Sequence, residues 1–79
     1  MTKLPILSSR QIARVLRAAG FEDAPKRGKG SHLAMVKRDP MGTRLVIIPG
    51  EKAVPRGTLR AILEQAGMTR EEFLGLLQL

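Results

Sequence analysis

Cysteine, tryptophan and tyrosine are absent from the 79-residue chain, histidine occurs once, and phenylalanine occurs twice. Without cysteine there is no disulfide, thiolate metal site or thiol nucleophile, and a small disulfide-free protein suits a reducing compartment, so a cytoplasmic location is expected. One imidazole with no thiol cannot build a conventional zinc centre, and no metal or other cofactor is expected. With Phe21 and Phe73 as the only aromatics, there is no platform on which successive bases could stack. Long apolar runs are missing too. The longest, Leu45-Val46-Ile47-Ile48, is far short of the roughly 20 residues that span a bilayer, and Met1–Ser8 is too brief for a signal peptide. No membrane association is expected. HExxH, Walker A, EF-hand and CxxC patterns do not occur. The adjacent acids Glu22-Asp23 and Glu71-Glu72 make poor paired catalytic carboxylates, and the second pair suits the start of a helix.

Positive charge, by contrast, is in excess. Fourteen Lys and Arg against seven Asp and Glu give a formal net charge of +7, which makes polyanions the natural partners. With 43% hydrophobic and 27% charged residues, the chain has ordinary globular composition and should fold, over residues 1–79, as one domain.

Helix signals bracket the chain. Ser8 with Gln11 has capping-box spacing ahead of Ile12, Val15, Leu16 and Ala19, and Gly20 supplies a stop with Phe21 returning to the core. Arg10, Arg14 and Arg17 lie off this stripe on a basic face, whose simplest reading is solvated surface and whose alternative is RNA contact. Between residues 21 and 50, Pro and Gly punctuate runs too short for helices. Strands are expected at about 21–27, with Pro25 tolerable only at an edge or bulge, then at 32–38 and 44–49. Asp39-Pro40-Met41-Gly42 carries a type I turn signature that makes the last two strands antiparallel neighbours. Their apolar content is nearly continuous, so which face is buried stays ambiguous, although helices on one face would explain it. Pro55 precedes a helix carrying Leu59, Ile62, Leu63 and Ala66 and ending at Gly67. Thr69 with Glu72 caps a last short helix, with Met68 stapling onto Phe73. The order is α-β-β-β-α-α.

The one stretch that concentrates chemistry is Lys26-Arg27-Gly28-Lys29-Gly30-Ser31-His32, followed by Lys37, Arg38 and Arg44. Glycines let backbone amides approach a phosphate, the cations neutralise it, and His32 is the only side chain of a type that titrates near neutrality. Ser31 and His32 would point to opposite faces of a strand, which argues against a Ser-His-Asp hydrolase.

Gly20-Phe21 after an amphipathic helix, Lys29-Gly30-Ser31-His32 leading into a strand, Val46-Ile47-Ile48-Pro49 and the run Gly57-Thr58-Leu59-Arg60-Ala61-Ile62-Leu63-Glu64-Gln65-Ala66-Gly67 together resemble the HicA toxins of bacterial type II toxin–antitoxin systems, over about residues 8–67. The resemblance implies an α+β fold like the double-stranded-RNA-binding domain, α-β-β-β-α, its three-stranded antiparallel sheet carrying the helices on one face, to which residues 68–79 would add the extra short C-terminal helix read above. It also implies metal-independent endonucleolytic cleavage of messenger RNA. By that resemblance His32 would be the catalytic acid or base, while the basic, glycine-containing stretch read from the residues themselves makes Lys26, Arg27, Lys29, Gly30, Ser31, Lys37, Arg38 and Arg44 the expected RNA-binding residues. The implied protein partner is an antitoxin of the HicB type, and the net charge of +7 leads us to expect it to lay an acidic surface over His32. Family members often carry a second histidine directly after the first, where this chain has Leu33. The competing reading is a non-catalytic RNA-binding module of the same fold, which would need the basic surface but not the imidazole.

Overall fold

The structure, a computed structural model, describes residues 3–24 and 30–78. Helix α1 (Ser9–Ala18) begins where Ser8 and Gln11 cap reciprocally, the Gln11 amide donating to Ser8 Oγ and Gln11 Oε1 accepting from the Ser8 amide at 2.9 Å. Its buried side, Ile12, Ala13, Val15 and Leu16, is the stripe read from the sequence. After a turn at Ala19–Gly20, Phe21 enters the core and β1 (Glu22–Asp23) follows. β1 is shorter than the expected strand at 21–27. The ladder continues to Ala24, whose N–H donates to Ala34 O at 2.8 Å, and positions 25–27 lie outside the described residues.

β2 (Leu33–Asp39) and β3 (Gly42–Ile48) form an antiparallel hairpin in the register Leu33↔Ile48, Met35↔Val46, Lys37↔Arg44 and Asp39↔Gly42, and β1 pairs with the other edge of β2. The expected turn closes it, with Asp39 Oδ1 accepting from the Met41 amide at 2.8 Å. Proline at the second turn position presets the backbone for this geometry. Pro49 has no N–H to continue the ladder, which stops at Ile48.

α2 (Arg56–Ala66) ends on Gly67 in the left-handed conformation, φ +69°. α3 (Arg70–Leu77) opens with the Thr69–Glu72 capping box. One face of the sheet, presenting Met35, Val46 and Ile48, packs with Ile12, Leu16, Leu59, Ile62 and Phe73 into a continuous apolar core, while Met68 packs against it from the side. The opposite face carries Ala34, Val36, Leu45 and Ile47 and receives none of the helices, since strand residues alternate between faces. The architecture is α+β with the helices on one side of a three-stranded antiparallel sheet, in the order the sequence suggested.

The α3 cap carries the clearest electrostatic signature. Glu72 accepts a hydrogen bond from the Thr69 backbone N–H at 2.8 Å, and this bond, then the Thr69 hydroxyl and to a lesser degree the charge on Lys37, hold its carboxyl below the ordinary carboxylate range. A lowered pKa in the folded state means that the ionised cap stabilises above the ordinary carboxylate range and that this is lost as the pH falls through the lowered value. Glu72→Gln keeps an oxygen for the Thr69 amide, as Gln11 does for Ser8, but does not titrate. Thermal melts should place Glu72→Gln a few degrees at most below wild type at neutral pH, with the two curves converging below the carboxylate range. A gap that widens on acidification would contradict this account of the cap.

Candidate active site

His32 lies one residue ahead of β2, directly after a turn at Gly30–Ser31 in which Gly30 adopts φ +60°, a conformation that a β-carbon would strain. Gly30, Ser31 and His32 are all exposed, and the His32 imidazole makes no hydrogen bond or ion pair among the described residues. Lys26, Arg27 and Lys29 lie outside the described residues.

The segment is propped from behind. A Cβ on Gly50 would fall inside van der Waals distance of the Ser31 carbonyl oxygen, 3.0 Å from its carbon and 3.1 Å from the Ser31 Cβ. Gly50 therefore lets two backbones touch where a side chain would force them apart. The loop after Gly50 is pinned to the chain that enters α1: the Ser9 N–H donates to Glu51 O at 2.9 Å, the Val54 N–H donates to Leu7 O at 2.7 Å, and the guanidinium of Arg56 reaches Leu4 O. These bonds bring the His32 turn, the loop at 50–54 and the first turn of α1 to one end of the molecule.

The basic residues singled out in the sequence do not all gather there. Lys37 and Arg44 face one another on the helix side of the sheet, and each is engaged. The Lys37 ammonium donates to Ala19 O at the end of α1 at 2.8 Å and sits 5.7 Å from the centroid of the Phe21 ring, while Arg44 pairs with Asp39 at 3.0 Å and rests against Gly67. Both border a cavity of about 650 Å³ whose rim also carries the carboxylates of Asp39, Glu71 and Glu72, an environment that offsets their charge toward a phosphate. Arg38 is exposed and unpaired among the described residues, but it is six strand positions from His32, about 20 Å at 3.3 Å per residue. The described cluster around His32 thus consists of Gly30, Ser31, the backbone of Gly50 and neighbouring loop residues. In the sequence Gly50 reads as loop punctuation. Counting the ladder outward from the Asp39–Gly42 turn sets it opposite Ser31, so the signal was present.

Among the described residues no three His, Asp or Glu side chains gather as a metal site, and no described helix is long and apolar enough to cross a membrane. The chain matches the family model described as HicA toxin of bacterial toxin–antitoxin over residues 9–68. The chain belongs to the HicA toxin family. That match runs from the first residue of α1 to just past the end of α2, and so includes the His32 turn, the whole sheet and the Gly50 loop. Family membership makes this a toxin of a toxin–antitoxin system and implies an antitoxin partner. Comparison with curated proteins finds no significant match.

Proposed function

We propose that this HicA-family toxin is an endoribonuclease that cuts messenger RNA without a metal, with His32 as its catalytic acid or base, and that a HicB-type antitoxin restrains it by laying an acidic surface over His32. The observation that carries the reading is the exposed imidazole of His32, without a partner among the described residues, on a glycine-shaped turn held by backbone contact with Gly50. An imidazole can take or give a proton near neutrality. In RNA the 2′-oxygen attacks the adjacent phosphorus and the 5′-oxygen leaves. His32 either removes the 2′-hydroxyl proton or delivers one to the leaving oxygen, and positioned proton transfer of this kind contributes typically 10²–10⁴-fold. The amides at Gly30 and Ser31 and the cations Lys26, Arg27 and Lys29 receive the charge on the scissile phosphate, with Arg38 farther along the sheet. Lys37 and Arg44, candidates on sequence grounds, hold Ala19 and Asp39 instead, and we leave them out of the contact. The antitoxin should meet the +7 surface with acidic groups, so high salt should slow its association.

The test is cleavage of a long single-stranded RNA by the purified toxin in the presence of a chelator. The rate should equal that without chelator, and adding the antitoxin should abolish it. Loss of activity on chelation would overturn the metal-free scheme, and RNA that is bound but never cut would establish the non-catalytic binding module in its place.

A further inference from the structure

The helix that leads away from the His32 end of the molecule is basic and carries no acid. Of the three arginines on α1, Arg17 is neutralised by Asp23 through a forked contact at 3.1–3.2 Å. Arg10 and Arg14 are exposed and have no hydrogen-bonding or ionic partner among the described residues. They stand four residues apart, about 6 Å along the axis, on the side away from Ile12 and Leu16. The first turn of α1, where Arg10 lies, is tied to the Gly50 loop through the Ser9–Glu51 bond, and Gly50 abuts Ser31. Lys52, also exposed and unpartnered among the described residues, stands in that loop beside its one carboxylate, Glu51.

We infer that Lys52, Arg10 and Arg14 form a track for the RNA backbone that runs from the His32 turn along the outer side of α1. This rests on the RNA-cleaving reading above and adds to it the path of the substrate. Three observations favour this surface over the cations of the sheet and the last turn of α1. Lys37 and Arg44 are spent on Ala19 and Asp39, Arg38 is about 20 Å away along β2, and Arg17 is already paired. Charge left unmatched at the surface is what a phosphate chain can neutralise with release of its counterions. With no aromatic in the track, binding should depend strongly on salt and little on base identity.

The experiment measures the dissociation constant of a short mixed-sequence single-stranded RNA as a function of salt, using His32→Ala protein so that the RNA stays intact. A DNA strand of the same sequence on otherwise wild-type protein provides a second measurement that does not depend on that variant. Each lost phosphate contact lowers the slope of log K against log salt by roughly 0.7. Arg10→Gln/Arg14→Gln should therefore reduce the slope by about 1.4 and Lys52→Gln by about 0.7, whereas Arg17→Gln, the same change of charge on the same helix, should leave it in place. An unchanged slope in the Arg10/Arg14 double variant of a protein that still binds and cuts RNA overturns the track and leaves the nuclease standing. An equal fall with Arg17→Gln overturns it in favour of net charge alone. A parent protein that binds no RNA overturns the track and the nuclease reading together.

Discussion

Gly50→Ala should cost the protein roughly two orders of magnitude in RNA cleavage while leaving the fold recognisable. The added methyl would press on the carbonyl carbon and oxygen of Ser31, main-chain atoms that cannot rotate away, so either the Ser31–His32 turn or the Pro49–Glu51 segment must move. The second route is obstructed, because Glu51 accepts from Ser9 and Val54 is bridged to Leu7. The strain falls on the turn that aims His32. Overpacking of this kind typically costs about 1–3 kcal/mol, and displacing a reacting group by about 1 Å can cost on the order of 10²-fold in rate. A cleavage assay paired with a thermal melt separates the two effects. Gly57→Ala is the matched control, since a Cβ there meets nothing within 4 Å and alanine favours the α2 helix that contains it. Wild-type cleavage by a folded Gly50→Ala protein would show that the Ser31–Gly50 contact does not position the site.

The local grammar of the chain was open to reading. Both capping boxes, the end of α2 at Gly67 and the Asp39-Pro40-Met41-Gly42 turn depend on residues within four places of one another, and each forms as expected. The sheet's facing was not legible. The runs Leu33–Val36 and Leu45–Ile48 are apolar on both sides of the strand, so nothing in them says whether Met35 or Ala34 meets the helices. That single undecided bit carries the fate of Lys37 and Arg44, which share the face of Met35 and Val46 and end as ties to the α1 terminus and the hairpin. A cluster that looks continuous in sequence is thereby divided between two faces and the two ends of a strand.

The site was legible in its centre and hidden at its edges. His32 stands out because the chain holds no other imidazole, and the Gly30-Ser31 turn ahead of it is visible in the residues themselves. What supports the turn comes from 19 residues farther along the chain, at Gly50, and what extends its basic surface comes from α1 and Lys52. The first can be counted out along the hairpin register from the Asp39–Gly42 turn, but the second depends on how the first helix packs, which periodicity does not encode. The sequence shows the α1 arginines as one face, for which solvent and RNA both remain readings, because the pairing of Arg17 with Asp23 that sets it apart from Arg10 and Arg14 exists only in the folded chain.

His32→Ala should lower the cleavage rate by about 10²–10⁴-fold and leave both melting temperature and RNA affinity close to wild type. The chain offers no replacement for the lost group, having no cysteine, no tyrosine and no second histidine. Folding should be nearly indifferent, because the side chain is exposed and bonds to nothing among the described residues, and such surface changes usually stay within about 0.5 kcal/mol. Affinity should hold because the Lys and Arg residues continue to neutralise phosphates. The decisive measurement is the single-turnover cleavage rate of wild type and His32→Ala at saturating protein, with the melting temperature and RNA dissociation constant taken on the same samples. With His32 as the catalytic group, the variant should cleave at a rate at least about 10²-fold lower while melting and binding as wild type does. Cleavage at the wild-type rate by a folded, RNA-binding His32→Ala protein would contradict it.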